Sequence, residues 1–167
     1  MRRALALGCL ATVAFGDYVI HRRRPRWILL GVFDHPAHLG TAGLIALNGP
    51  HRSRKWTLGF VAGALLPDVD HVPLALRARE RSADDPRPVS HCLLAVVPVA
   101  ALAGVTQSER LHGLAAGMAA HFLRDLGVGT GVPLLWPATR RSVRIPYAAY
   151  AAACALAAGR VAAVRSA

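Results

Sequence analysis

Long apolar runs alternate along the chain with short basic clusters. The runs cover residues 4–20, 27–47, 56–76, 91–106, 111–136 and 146–164. A membrane-crossing helix needs about 20 mostly apolar residues, so the pattern predicts an all-α, multi-pass helical membrane protein with four to six apolar helices. The first and last runs are clean. The middle four carry Asp34, His35, His38, Asp68, Asp70, His71, His91, His121 and Asp125. Each such group costs roughly 3 kcal/mol or more in a bilayer unless it faces a bundle interior or a cavity, so these residues are expected to form a set.

Proline and glycine cut the middle runs into two predicted helical hairpins. Pro36, with Asp34 just before it, is expected to open a helix, Pro67 and Pro73 to end one, and the glycine-rich stretch 127–133 to end the fifth. The first hairpin then runs over about 36–48, turns at 49–55 and returns over 56–66. The second runs over 91–106, turns at 107–110 and returns over 111–126. At about 1.5 Å per residue, His38 and Asp68 both lie roughly 15–18 Å from the first turn. His91, His121 and Asp125 converge in the same way in the second. His121 and Asp125 share a helix face at i,i+4, and Gly113 and Gly117 continue that face. Gly59, Gly63 and Pro67 repeat the four-residue interval, a small-xxx-small pattern for close helix approach.

The expected organisation is one membrane domain over 1–167. Residues 1–26 form an apolar helix and basic linker, 34–137 the core with the polar set, and 146–164 a final helix. Met1-Arg2-Arg3 and the apolar run after it resemble the start of a signal peptide, but no convincing A-x-A-like site follows, and a retained first helix is expected. Asp17 within that run reads as a helix-end residue. The cysteines, Cys9, Cys92 and Cys154, lie in apolar runs with no C-x-x-C pair and read as small hydrophobes.

Composition sharpens the membrane reading. Hydrophobic residues make up 54% of the chain and charged residues only 17%, yet 20 Lys+Arg against 9 Asp+Glu give a net charge of +11. The low charged fraction argues against a histone-like protein or a disordered tail. The basic residues sit between apolar runs, as membrane flanks do: Arg22, Arg23, Arg24 and Arg26, then Arg52, Arg54 and Lys55, then Arg77, Arg79, Arg81 and Arg87, then Arg140, Arg141 and Arg144. Membrane lipids rather than nucleic acid are therefore the expected partners, and a cell membrane, the bacterial inner membrane by preference, the expected location. Seven basic residues on one side of a six-span arrangement against eleven on the other place the polar set toward the cytoplasm.

Imidazoles and carboxylates converging at one level suit a divalent metal, zinc by preference, bound at about 2.0–2.2 Å. The candidates are His38, Asp68, Asp70, His71, His91, His121 and Asp125, with Asp34 and His35 in reserve. Seven exceed one tetrahedral site, which leaves two metals or one metal with supporting carboxylates. Asp70 or Asp125 would accept a proton. Arg87 and Ser90 would meet an anionic substrate beside the basic 77–87 loop. His21, His51 and His112 read as headgroup or solvent contacts. The chain has no P-loop, G-x-S-x-G elbow or H-E-x-x-H pair, which argues against serine chemistry.

Four stretches carry a family resemblance: Gly63-Ala64-Leu65-Leu66-Pro67-Asp68-Val69-Asp70-His71, Arg87-Pro88-Val89-Ser90-His91-Cys92, His121-Phe122-Leu123-Arg124-Asp125 and Gly131-Val132-Pro133-Leu134-Leu135-Trp136-Pro137. Together, from His35 to Pro137, they resemble the YdjM-like membrane-bound metal-dependent hydrolases, a family distantly similar to zinc-dependent phospholipase C. The resemblance implies a helical membrane hydrolase with ligand roles for His38, Asp68, His71, His91, His121 and Asp125. Its substrate would be a phosphoester or similar ester, free or on a lipid headgroup. The chain departs from the family's H-R-G-x-T-H-S element, with Pro86 at the first histidine position, Pro88 at the glycine and Cys92 at the final serine. Two other readings stand beside the hydrolase: a transporter or proton/metal relay using the same cluster, and a family member that binds partners without catalysis.

Overall fold

The computed structural model describes residues 1–25, 27–71, 87 and 91–163. They form six α-helices: α1 (Arg2–Arg23), α2 (Trp27–Asn48), α3 (Arg54–Leu65), α4 (Leu93–Thr106), α5 (Glu109–Gly127) and α6 (Tyr147–Ala163), with a 3₁₀ turn (Leu66–Asp70) after α3. No strand occurs among these residues beyond one bridge between Val132 and Val143.

Local chemistry sets the helix ends. Ser53 caps α3 by accepting from the Trp56 amide at 3.2 Å, and Ser108 caps α5 by accepting from the Leu111 amide at 3.4 Å. Ser53 also donates to Glu109 at 3.0 Å, which joins the ends of the two hairpins. Ser53→Ala removes both bonds, and is expected to lower stability by about 1 kcal/mol, read as a small fall in the thermal midpoint. Pro67 halts α3, as expected, and the chain tightens into the 3₁₀ turn. Pro36 does not open a helix, because α2 runs through it without a break. In an apolar phase, ending a helix leaves a full turn of backbone groups unpaired, whereas passing through proline frees one carbonyl.

The hairpins meet along the small-residue faces. α3 and α5 touch backbone to backbone: a Cβ on Gly59 or Gly63 would strike the carbonyls of Arg110 or Leu114, and one on Gly113 or Gly117 those of Trp56 or Phe60. α1 lies along α2, where a Cβ on Gly16 or Gly40 would meet the backbone of the other helix. The segment between α5 and α6 folds back on both hairpins. Val132 and Val143 exchange backbone bonds of 3.0 and 2.8 Å, Ile145 donates to Leu126 at 2.8 Å, and the Leu93 amide donates to Leu134 at 2.9 Å. Gly131 sits at φ +82°, where a side chain would be strained and would also strike Val143.

Charged side chains are buried beside the apolar core while large apolar ones lie exposed. The largest fully buried side chains include Arg124, His38, His91, His121, Asp17 and Asp125, while Phe15 is 61% exposed, Val105 84% and Leu156 69%. Water as solvent would favour the reverse, and lipid favours this arrangement. Among the described residues, α1 is the helix long and apolar enough to cross a membrane. α3, α4 and α6 have 12, 14 and 17 residues.

Candidate metal centre

The centre is assembled from four places in the chain. His121 and Asp125 lie one turn apart on α5, His38 projects from α2, Asp68 and His71 come from the 3₁₀ turn and its end, and His91 stands just before α4. The convergence counted from the hairpin turns is observed. His121 Nδ1 donates to the Ala64 carbonyl on α3 at 2.9 Å, a bond available because the glycines bring the helices so close. That bond fixes the ring's orientation and leaves Nε2 facing the cluster. His38 stacks on His121 with ring centroids 3.8 Å apart and planes within 7°. The Leu134 carbonyl holds the first amide of α4, next to His91.

Asp68 and Asp125 stand between the imidazoles. His121 Nε2 is 3.4 Å from Asp68 Oδ1 and 3.2 Å from Asp125 Oδ2. His91 Nε2 is 3.7 and 3.5 Å from the same two oxygens. His38 Nε2 is 3.4 Å from Asp125 Oδ1, and His71 Nε2 is 3.6 Å from Asp68 Oδ1. Donors around an ion at about 2.0–2.2 Å stand roughly 3.3–3.6 Å apart along the edges of a tetrahedron, and these spacings are compatible with such a shell.

Two further observations fit a cation. The Nε2 atoms of His38, His71, His91 and His121 are buried without a hydrogen-bond partner among the described residues, a costly state for polar atoms unless something else satisfies them. Among the described residues, and with neutral imidazoles, the buried carboxylates of Asp17, Asp34, Asp68 and Asp125 outnumber the guanidinium groups they face, those of Arg87 and Arg124. A divalent cation would restore neutrality in a medium where uncompensated charge is strongly unfavourable. Three triads have donor atoms within 4.8 Å of one another: His38, His121 and Asp125; Asp68, His91 and His121; and Asp70, His71 and His91. His71, past the end of the 3₁₀ turn, is readied for coordination. Burial pushes its imidazolium down to about 4, with Asp68 opposing and His91 and Arg87 reinforcing the shift, so near neutral pH the ring is an unprotonated donor.

The remaining candidates fall around this core. Asp70 is half-buried, with Oδ2 3.8 Å from His91 Nδ1. His35 donates from Nδ1 to the Gly31 carbonyl at 2.8 Å and brings Nε2 to 3.4 Å from Asp68 Oδ2. Arg87 reaches inward, with Nη2 2.7 Å from Asp125 Oδ1. Ser90, Pro86, Pro88 and the loop cations Arg77, Arg79 and Arg81 lie outside the described residues. His21, His51 and His112 are exposed and away from the cluster.

Asp17 does not act as a helix-end residue. It is 2% exposed and accepts from Arg124 Nη1 at 2.7 Å. Sequence reasoning passed over Arg124, although a lone cation inside an apolar run was the signal, because such a charge requires a buried anion.

A cavity of about 670 Å³ opens beside the centre, with Leu30, Leu39, Leu65 and Val69 on its walls and Asp68, His71 and Arg87 among its polar lining. Neither the curated proteins nor the solved structures gave a match to this chain. The family described as YdjM inner membrane protein matches residues 5–166, and the chain belongs to that family.

Proposed function

From an inner-membrane family and a buried His/Asp centre, we propose that the protein is a multi-pass, metal-dependent hydrolase acting on a phosphoester or similar ester with an apolar chain. The observation that carries this reading is the set of buried Nε2 atoms without hydrogen-bond partners around Asp68 and Asp125. His38, Asp68, His71, His91, His121 and Asp125 would supply the ligands of one or two metals, each keeping a position open for water, and zinc suits this mixture of nitrogen and oxygen donors. A bound divalent cation supplies Lewis acidity, polarising the ester and acidifying a water.

The chain's own groups divide the remaining work. Asp70, half-buried at the edge of the cluster, accepts the proton, because Asp125 is fully buried and paired with Arg87. Arg87 lines the cavity and offers a cation to an anionic head, while Leu30, Leu39 and Leu65 accommodate an apolar chain. A transport path would need ionisable groups at several depths, whereas the histidines here gather with Asp68 and Asp125 in one cluster.

Metal analysis of the purified protein is expected to find stoichiometric zinc or another divalent ion. Chelation is expected to abolish hydrolysis of a chromogenic phosphodiester, and zinc to restore it. A protein purified without metal, and unable to bind it when supplied, overturns the proposal. Stoichiometric metal with no hydrolysis of any ester would support the non-catalytic reading.

A further inference from the structure

The cavity of about 670 Å³ beside the centre has two unlike ends. Its inner end carries Asp68, His71 and Arg87, whose side chains are all mostly buried. Its rim carries Val32, Leu39 and Val69, which are 57%, 37% and 60% exposed. The rim lies between α2 and the 3₁₀ turn, where Leu66 adds another exposed apolar side chain. His35 is the polar member of this rim. Its Nδ1 bonds the Gly31 carbonyl and its Nε2 faces Asp68, so both ring nitrogens are directed at the protein. Helix rise sets His35 about 12 Å along α2 from its first residue and Leu39 about 6 Å farther. The cavity therefore opens along the side of a helix and not at its end. An opening onto water favours polar side chains at its edge, whereas a continuous apolar rim suits lipid.

We propose that this cavity is a lateral port, through which an anionic membrane phospholipid enters from the bilayer. One chain lies between α2 and the 3₁₀ turn, against Leu39, Leu65 and Val69, and the phosphate reaches Arg87. That the lipid is the substrate rests on the hydrolase reading above; that it enters here does not. Arg87 holds Asp125 through Nη2 at 2.7 Å, which leaves other donors of its fork for a second anion. The volume lies in the range of about 300–1,000 Å³ typical of sites for one small molecule. The head and the first part of one chain fit, and the rest of the lipid stays in the bilayer. A free phosphate would have to leave water and cross an apolar rim to reach Arg87, at a large desolvation cost. A lipid brings its own apolar chain to that rim. The competing explanation is a groove that meets acyl chains without regard to the head.

Photo-cross-linking of the full chain in lipid nanodiscs separates the two. The probes are phosphatidic acid and neutral diacylglycerol carrying the same diazirine-bearing acyl chain, with labelled sites mapped by peptide mass spectrometry. Label within residues 30–39 and 65–69 is expected to be about tenfold higher from phosphatidic acid, the low end of what a hydrogen bond to a charged group contributes. Label around the exposed Leu156 on α6 should be the same from both. Excess unlabelled phosphatidic acid should displace the label at the port, and inorganic phosphate should not. Val69→Trp, at an exposed position that tolerates a larger side chain, should block the rim and reduce that label to the diacylglycerol level. Arg87→Gln should narrow the preference between the two lipids. Leu156→Trp is the control, with port label and head preference unchanged. Equal label from the two lipids at the rim overturns the proposal, as does a head preference untouched by Val69→Trp and Arg87→Gln. Displacement by inorganic phosphate assigns the cavity to a soluble phosphate and overturns it too. A wild-type protein that takes up the lipid here but cleaves no phosphoester overturns the hydrolase reading and leaves the port standing. One that cleaves a soluble phosphodiester without any head preference at the rim does the reverse.

Discussion

Asp68→Asn and His121→Ala are each expected to lower metal affinity by more than about 100-fold, the upper end of what indirect contacts achieve. One oxygen of Asp68 faces three of the imidazoles: its Oδ1 lies 3.4 Å from His121, 3.6 Å from His71 and 3.7 Å from His91. His121 takes part in two of the three donor triads and is oriented by the Ala64 carbonyl. Without metal, Asp68 still pairs with the His121, His71 and His91 rings, so Asp68→Asn should modestly lower the unfolding temperature of the chelated protein. With metal, wild type gains binding free energy that the variant lacks. Thermal unfolding with and without a chelator measures both: a large downward shift on chelation for wild type, and little for Asp68→Asn. Equal chelator shifts in the two proteins would exclude Asp68 as a ligand.

The second large effect lies in the backbone. Gly63→Val and Gly117→Val each place a side chain on the carbonyl of the facing helix, at Leu114 and Phe60 respectively. A flexible side chain could yield, but a helix backbone cannot, so the hairpins must separate. Overpacking of ordinary cores costs about 1–3 kcal/mol, and this case should exceed that range and remove metal binding too. Gly104→Val in α4 provides the contrast, because open space surrounds a Cβ there. That variant should bind metal normally. A Gly117→Val protein with wild-type stability and metal content would show that the helices do not pack in this way.

The hairpins and the centre were legible in the sequence because both depend on local counting. Turn positions follow from Pro67, the glycine-rich stretch after Leu126 and the breaks at 49–55 and 107–110, and a fixed rise per residue then aligns His38 with Asp68 and His91 with His121. The spacing of Gly59 and Gly63 against Gly113 and Gly117 likewise announced a close contact, since only small residues permit it. What remained hidden depends on distant partners. Asp17 and Arg124 are 107 positions apart, and no periodicity links them; only the energetic demand that a buried charge be balanced does. Pro36 misled for a related reason, because its helix-breaking tendency in water is weaker in a setting that penalises loose backbone. Helix length was also over-read: the apolar run 91–106 yields a 14-residue helix that begins after His91, since His91 turns into the cluster.

The glycine contact between α3 and α5 has a consequence for how the centre meets its surroundings. With no side chain interposed, the gap between Ala64 and His121 is fixed by the thickness of two main chains, not by rotamers that a neighbouring lipid can reshuffle. Changes in bilayer thickness tilt helices, and the pair can tilt as one rigid body. The ligands on it would then keep their spacing in membranes of different composition, while the helices on the periphery absorb the mismatch.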